Sequence, residues 1–192
     1  AAYLSKADLV TGMVGEFSEL QGIMGREYAL KNGEDPRVAK AIAEQYMLTA
    51  AGNELPSDVI GAVVGIAERA FNMIGAYKLG FQPTGSQDPY GLRRAIRCIN
   101  EILWGLRLDL DLEALLAFIA QDLEVGGEAL NSLLEFIRQR TLIQLKEKEY
   151  GHELIELALS VTGSRPLQTL YLLGAFAEVK QEDWFTKLVN SA

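Results

Sequence analysis

A single cysteine and a single histidine are all that 192 residues hold of those two side chains, and each scarcity removes a class of chemistry. Cys98 has no partner for a disulfide, which excludes a disulfide framework and fits a reducing cytosol. With no histidine or second cysteine near it to activate the thiol, Cys98 reads as a small core residue on the buried side of its helix. His152 follows Gly151 at a helix start, a poor place for a structural cation, and reads as a solvated or capping side chain. A Ser/His/Asp or Cys/His nucleophile would have to use this one imidazole, and nothing in the sequence supports one. No Gly-x-x-x-x-Gly-Lys-Ser/Thr loop is present, so nucleotide binding of the P-loop type is not indicated. No apolar run approaches the ~20 residues of a membrane span, and there is no internal repeat, low-complexity run or Pro/Ser-rich linker. The chain opens at Ala1-Ala2-Tyr3-Leu4, with neither a Met nor a basic signal segment. It is therefore expected to be a piece of a longer protein, with its first helix cut near the start.

Positive charge is also in deficit. The formal net charge is −8, which argues against a generic nucleic-acid binder. The distribution matters more than the total. From Arg69 to Arg107 six basic residues (69, 78, 93, 94, 97, 107) stand against two acidic ones (88, 101); six minus two gives +4, so the rest of the chain holds −12. An acidic body with one basic strip repels a polyanion everywhere but there, which can orient an RNA partner. Chance clustering in a short window is the plain alternative.

What is abundant is helical pattern. Hydrophobic residues make up 49% and charged residues 23%, ordinary for a soluble globular protein of one or two helical domains. Helical period dominates and no strand pattern of useful length appears, so the fold class is all-α. The pattern predicts helices over about 2–14, 17–32, 36–49, 57–79, 89–107, 111–123, 128–149, 151–161, 165–179 and 181–190. Asp35-Pro36, Ser57, Asp88-Pro89 and Asp111 mark starts, while Gly33, Gly52 and Gly80 fall just past ends. In helix 57–79, Ile60, Val63, Val64, Ala67, Ala70, Phe71 and Ile74 make a wide apolar face suited to a central core helix. After Leu108-Asp109-Leu110-Asp111 the chain becomes leucine-rich and more acidic, with Lys/Glu pairs such as Lys146-Glu147-Lys148-Glu149. A subdomain boundary is expected near 109.

The stretch from Phe81 to Arg94 concentrates the candidate chemistry. Gly80 and Pro83 end one helix, and Thr84-Gly85-Ser86 reads as a turn. Asp88 has the side chain of an N-cap, and Pro89 suits the first helical position. The helix that follows carries Arg93, Arg94 and Arg97 opposite an apolar stripe of Leu92, Ala95, Ile96, Ile99, Leu103 and Leu106. Arginines held beside a helix start suit phosphate contact, since a guanidinium grips two oxygens at once; the alternative is a well-capped surface helix whose arginines are solvated. The hydroxyls of Thr84 and Ser86 can donate to a sugar or phosphate, though such residues more often satisfy the turn's own backbone. Lys6, Arg26 and Lys78 are further candidate contacts, with Gln21 as a polar side chain able to position a ligand. Lys6 and Asp8, two apart, do not face each other on a helix. Arg26 follows Gly22-Ile23-Met24-Gly25, whose glycines permit close approach, and is otherwise an exposed arginine packed on Tyr28 or paired with an acid.

The same stretch carries a resemblance. Pro83-Thr84-Gly85-Ser86-x-Asp88-Pro89-x-x-Leu92-Arg93-Arg94 resembles the signature of the β subunit of the bacterial tetrameric glycyl-tRNA synthetases. A second block agrees: Lys6-Ala7-Asp8-Leu9-Val10-Thr11-x-Met13-Val14-x-Glu16-Phe17-x-Glu19-Leu20-Gln21-Gly22-x-Met24-Gly25. Asn53-Glu54-Leu55-Pro56 and Ile66-Ala67-Glu68-Arg69 fall where the family has similar elements. The likeness is strongest over residues 1 to about 108 and continues more weakly through Leu133-Leu134-Glu135-Phe136-Ile137-Arg138-Gln139-Arg140.

This resemblance implies an HD-like helical bundle over 1–108, followed by a helical segment over 109–192 that stops just before an anticodon-binding domain. HD-type phosphohydrolases bind metal through a His, a His-Asp pair and a further Asp. Here the first half has no histidine, and Glu68-Arg69 stands where the family commonly has Asp followed by Lys, so no metal site and no catalytic residue are expected. The parent implied is an α₂β₂ ligase that joins glycine to tRNA(Gly) using ATP in the cytoplasm. Its α subunit holds the aminoacylation site, and its β subunit supplies tRNA binding and assembly. The expected job of this chain is to grip or position tRNA, with Arg93, Arg94 and Arg97 leading. It would need no cofactor of its own and no membrane. The alternative is a structural module that braces other β-subunit domains without touching RNA.

Overall fold

A computed structural model describes residues 1–48, 54–83 and 88–179. Every regular element among them is helical: α1 (Gly12–Glu16), α2 (Ile23–Lys31), α3 (Pro36–Glu44), α4 (Val59–Lys78), α5 (Leu92–Gly105), α6 (Leu112–Asp122), α7 (Gly127–Glu147), α8 (His152–Thr162) and α9 (Pro166–Val179). The all-α expectation is met. The helix expected over 181–190 and the turn at Thr84-Gly85-Ser86 lie outside the described residues.

The caps explain where most helices begin. Asp35 accepts from the Arg37 N–H at 2.7 Å with Pro36 in the first turn, and Asp111 accepts from Ala114 N–H at 3.1 Å. At α4 the cap is Asp58, which accepts from Ile60 N–H at 3.0 Å; Ser57, one residue earlier, donates its hydroxyl to Glu44 Oε1 at 2.6 Å.

The amino-terminal region departs from the pattern. In place of helices over 2–14 and 17–32 there are 3₁₀ turns at Ala2–Leu4, Ala7–Val10 and Ser18–Leu20, the short α1, and α2 beginning only at Ile23. The cause is a tertiary bond. Asp8, only 1% exposed, accepts the Gly22 N–H at 2.6 Å, and Gly22 sits at φ 77°, a left-handed conformation that favours glycine. A Cβ there would lie 2.4 Å from the Tyr46 ring. Thr11 meanwhile caps α1, its hydroxyl donating to Asp8 O at 2.7 Å and accepting from Val14 N–H at 3.4 Å.

Helix α4 is the centre of the bundle, with α3, α5, α6 and α7 packed around it. By length and composition alone it would pass for a membrane span, but here it supplies a protein core. Its buried face is rotated from the one the apolar pattern suggests: Val63 and Phe71 are exposed, and Gly61, Ala62, Gly65, Ile66, Met73 and Tyr77 point inward. The two glycines explain the rotation. A Cβ on Gly61 would meet Glu44 Cβ at 2.6 Å, and one on Gly65 would meet the Gln45 carbonyl at 3.0 Å, so the end of α3 lies directly on the α4 backbone.

The main core joins Ile66, Ile74 and Met73 of α4 to Ile96, Ile99 and Leu103 of α5, and to Leu112, Leu116, Leu133 and Ile137 of α6 and α7, on both sides of residue 109. A second cluster seats Trp104 among Leu145, Ile155, Leu159, Leu167 and Leu173, with the indole N–H donating to Pro166 O at 2.9 Å. The apolar stripe expected on α5 is the one observed, with Leu92, Ile96, Ile99 and Leu103 buried.

Candidate functional site

Helix α5 starts at Leu92, three residues later than Asp88-Pro89 suggests. Gly91 at φ 65° precedes it, a left-handed turn that Asp88 spans from outside the helix. The Asp88 carboxylate accepts from Leu92 N–H at 2.8 Å and Arg93 N–H at 3.1 Å. It therefore caps the helix, but at a distance of four and five residues instead of the usual two or three. The effect is a firmly held first turn whose arginines leave the helix on the side away from the core.

Behind that turn α5 is keyed to α7 by buried amides. Asn100 donates to Thr141 Oγ1 and Gln144 Oε1, both at 3.0 Å, and Gln144 donates to Arg97 O at 3.2 Å and Glu101 Oε1 at 2.9 Å. Hydrogen bonds of this kind fix one register between two helices, since slippage would leave buried amides unpaired. The register brings Arg140 of α7 beside Arg93, Arg94 and Arg97 of α5, around a cleft of about 330 Å³ that Gln144 and Ile143 also line. Four arginines against Asp88 and Glu147 leave the lining at four minus two, or +2.

The four cations are not alike. Arg94 is exposed; Arg93, Arg97 and Arg140 are half-buried. Arg97 Nη2 pairs with Glu147 Oε2 at 2.7 Å, and that hydrogen bond raises the guanidinium pKa above its ordinary value. The Arg140 guanidinium lies 5.4 Å from the Phe136 ring centroid, a cation–π contact. The Nε atoms of Arg97 and Arg140 are buried with no acceptor among the described residues.

The remaining candidates lie elsewhere or outside the described residues. Lys6 donates to Tyr46 Oη at 3.0 Å and to Glu68 Oε1 at 3.2 Å, and sits over the Tyr46 ring; Gln21 donates to the same hydroxyl at 2.8 Å. Arg26 pairs with its neighbour Glu27 at 2.8 Å. Lys78 donates to Leu123 O at 2.6 Å and so caps the carboxyl end of α6. Thr84 and Ser86 are outside the described residues. Arg140 escapes sequence reasoning because only the α5–α7 register, not local spacing, places it in the cleft.

The pair Glu68-Arg69, which the resemblance singled out, is tied into the fold. Glu68 takes Lys6 and the Asn72 amide at 2.7 Å, while Arg69 donates to the carbonyls of Gln45, Gly65 and Met47 at 2.8–3.1 Å. Among the described residues no three His, Cys, Asp or Glu side chains converge to hold a metal ion. Cys98 is buried with its thiol donating to Leu48 O, and burial pushes its pKa up. His152 is the exposed first residue of α8.

Fold and cleft together define an all-helical module, among the described residues, with four arginines lining one cleft. Comparison with known proteins gives the family: the chain belongs to the glycyl-tRNA synthetase beta subunits, whose family model matches residues 1–160. It is similar to the glycine–tRNA ligase beta subunit of Geobacter sulfurreducens, 45% identical over 193 aligned residues that cover 98% of this chain and 28% of that protein. The beta subunit of Syntrophotalea carbinolica is 43% identical, again over 98% of this chain and 28% of the relative. That of Bacillus subtilis is 43% identical over 89% of this chain and 24% of its own length. The chain thus spans about a quarter of the length of the curated relatives it matches.

Proposed function

We propose that this chain is a tRNA-positioning part of the β subunit of a glycine–tRNA ligase, acting in the cytoplasm with an α subunit that carries out the ATP-dependent chemistry in an α₂β₂ assembly. In this reading the chain itself is non-catalytic and uses no cofactor, and residues 1–108 descend from an HD-like unit that has lost its metal ligands. The observation that carries the reading is the cleft of Arg93, Arg94, Arg97 and Arg140, built on a rigid α5–α7 pair inside an otherwise acidic chain. A phosphate backbone is the ligand class that such a group of guanidinium donors fits best. It would be repelled by the rest of the surface and admitted here.

The salt dependence of tRNA(Gly) binding tests this directly. Removing one phosphate-binding cation should flatten the log–log slope of affinity against salt by roughly 0.7–0.9. Glu substitutions at Arg94 and Arg140 should therefore weaken binding and lower the slope together. Unchanged affinity and slope in variants that keep their helical circular dichroism would remove the phosphate role. A bracing role is the second reading, favoured by the Arg97–Glu147 pair, which already satisfies one of the cations within the chain. Under it the same variants would loosen the assembly with α subunits and leave RNA affinity alone.

A further inference from the structure

Beside the arginines two aromatic rings stand stacked in the open. The Phe81 and Tyr90 centroids are 4.6 Å apart with the planes at 19°, yet Phe81 remains 42% and Tyr90 55% exposed. Although stacked on each other, both residues keep a large part of their surface open to solvent. Resting on the phosphate-binding reading above, we propose that this pair is a platform on which one unpaired nucleobase of the bound RNA stacks.

Both rings are held by backbone geometry and not by a hydrophobic core. Phe81 is fixed by the turn that ends α4: Gly80, at φ 77°, donates to Tyr77 O at 3.1 Å, and Phe81 N–H donates to Ala76 O at 2.9 Å. Tyr90 is fixed by the turn that starts α5, where Gly91 N–H donates to Asp88 O at 3.0 Å and the Asp88 carboxylate grips Leu92 and Arg93. Two helix ends thus hold the rings face to face, and little conformational entropy remains to be lost when a third ring is added.

The placement is what points to a nucleotide. Tyr90 and Arg94 line one cleft of about 290 Å³ between α4, α5 and the segment that follows α3. Arg94 also lines the arginine cleft on its other side. A base on Tyr90 would accordingly have its backbone phosphates beside guanidinium groups. Stacking of this kind needs a base with a free face, which duplex interiors do not offer and single-stranded ends, loops and bulges do. A protein partner would look for a wider apolar surface than this stacked pair, whose Tyr90 borders a cleft lined by Arg69, Arg94, Gln45, Asn72 and Glu68.

Two RNAs test this with the full chain: a blunt hairpin, and the same hairpin with a single-stranded 3′ tail carrying 2-aminopurine. The tail should tighten binding, and 2-aminopurine fluorescence should be quenched on binding. Tyr90→Ala should shrink the tailed-to-blunt affinity ratio by about 5- to 100-fold, the effect of removing one base stack, and abolish the quench. Tyr90→Phe should keep both. Arg94→Glu should weaken both RNAs alike, and its failure to do so would count against the phosphate reading alone. A tail that adds nothing to a hairpin that binds, or a quench and ratio that survive in both Tyr90→Ala and Phe81→Ala, overturns the platform. Equal losses for blunt and tailed RNA in Tyr90→Ala would make the ring a brace for α5, which also contradicts it. Failure of both RNAs to bind at low salt would remove both readings.

Discussion

Ile99 and Arg94 occupy one helix and should behave as opposites. Ile99 is fully buried in the main core, and Ile99→Ala leaves a cavity expected to cost ~2–5 kcal/mol in urea unfolding. Arg94 is exposed, and Arg94→Ala should stay within about ±0.5 kcal/mol. The reverse order would make Arg94 a structural ion and not a ligand group. Cys98 adds a chemical check. Burial raises its pKa, so the neutral thiol is the form the fold favours, and that preference is lost as pH rises through the folded value. Near the ordinary thiol pKa of about 8.5, iodoacetamide should alkylate the native chain far more slowly than the chain in denaturant. Equal rates would place the thiol in solvent.

Helix boundaries divide into those visible in the sequence and those that packing decides. The starts of α3 and α6 and the apolar stripe of α5 are readable because Asp caps, Pro36 and a period of 3.6 are local features. Three helix ends fall within two residues of the predicted ones without the usual glycine, since Arg107, Glu124 and Glu149 adopt φ of 53°, 53° and 67° there. At α6 the bond from Val125 N–H to Ala120 O, 2.8 Å, closes the end over Glu124. Glu124→Gly should relieve this strain and raise stability by up to about 1 kcal/mol; a loss in urea unfolding would show that the glutamate contributes more than its backbone costs. The α4 face is misjudged from sequence because glycine does not register as apolar, although Gly61 and Gly65 are where α3 rests. A Gly→Ala change inside a helix ordinarily gains about 1 kcal/mol. Gly61→Ala should instead destabilise, because its Cβ would sit 2.6 Å from Glu44 Cβ; a gain in melting temperature would contradict that close approach. The amino-terminal turns are unreadable for a related reason, since the Asp8–Gly22 bond overrides the local helical pattern.

Across the whole molecule the candidate site is half legible in the sequence. Arg93, Arg94 and Arg97 can be picked from a capped loop and a basic strip, whereas Arg140 enters through the Asn100–Gln144 register and the aromatic pair through two helix ends. What results is a helical body in which four arginines line one cleft while the net charge of the chain stays negative. The most direct test of the proposed role is made in the proposed α₂β₂ ligase with Arg93 and Arg94 both changed to Glu. ATP–pyrophosphate exchange, which reports glycyl-adenylate formation, is measured beside tRNA charging at several salt concentrations. Charging should fall and its salt dependence flatten while exchange stays near the unaltered rate. Charging and salt slope that match the unaltered enzyme, in a variant that keeps its helical fold, would contradict an RNA-gripping role for the cleft.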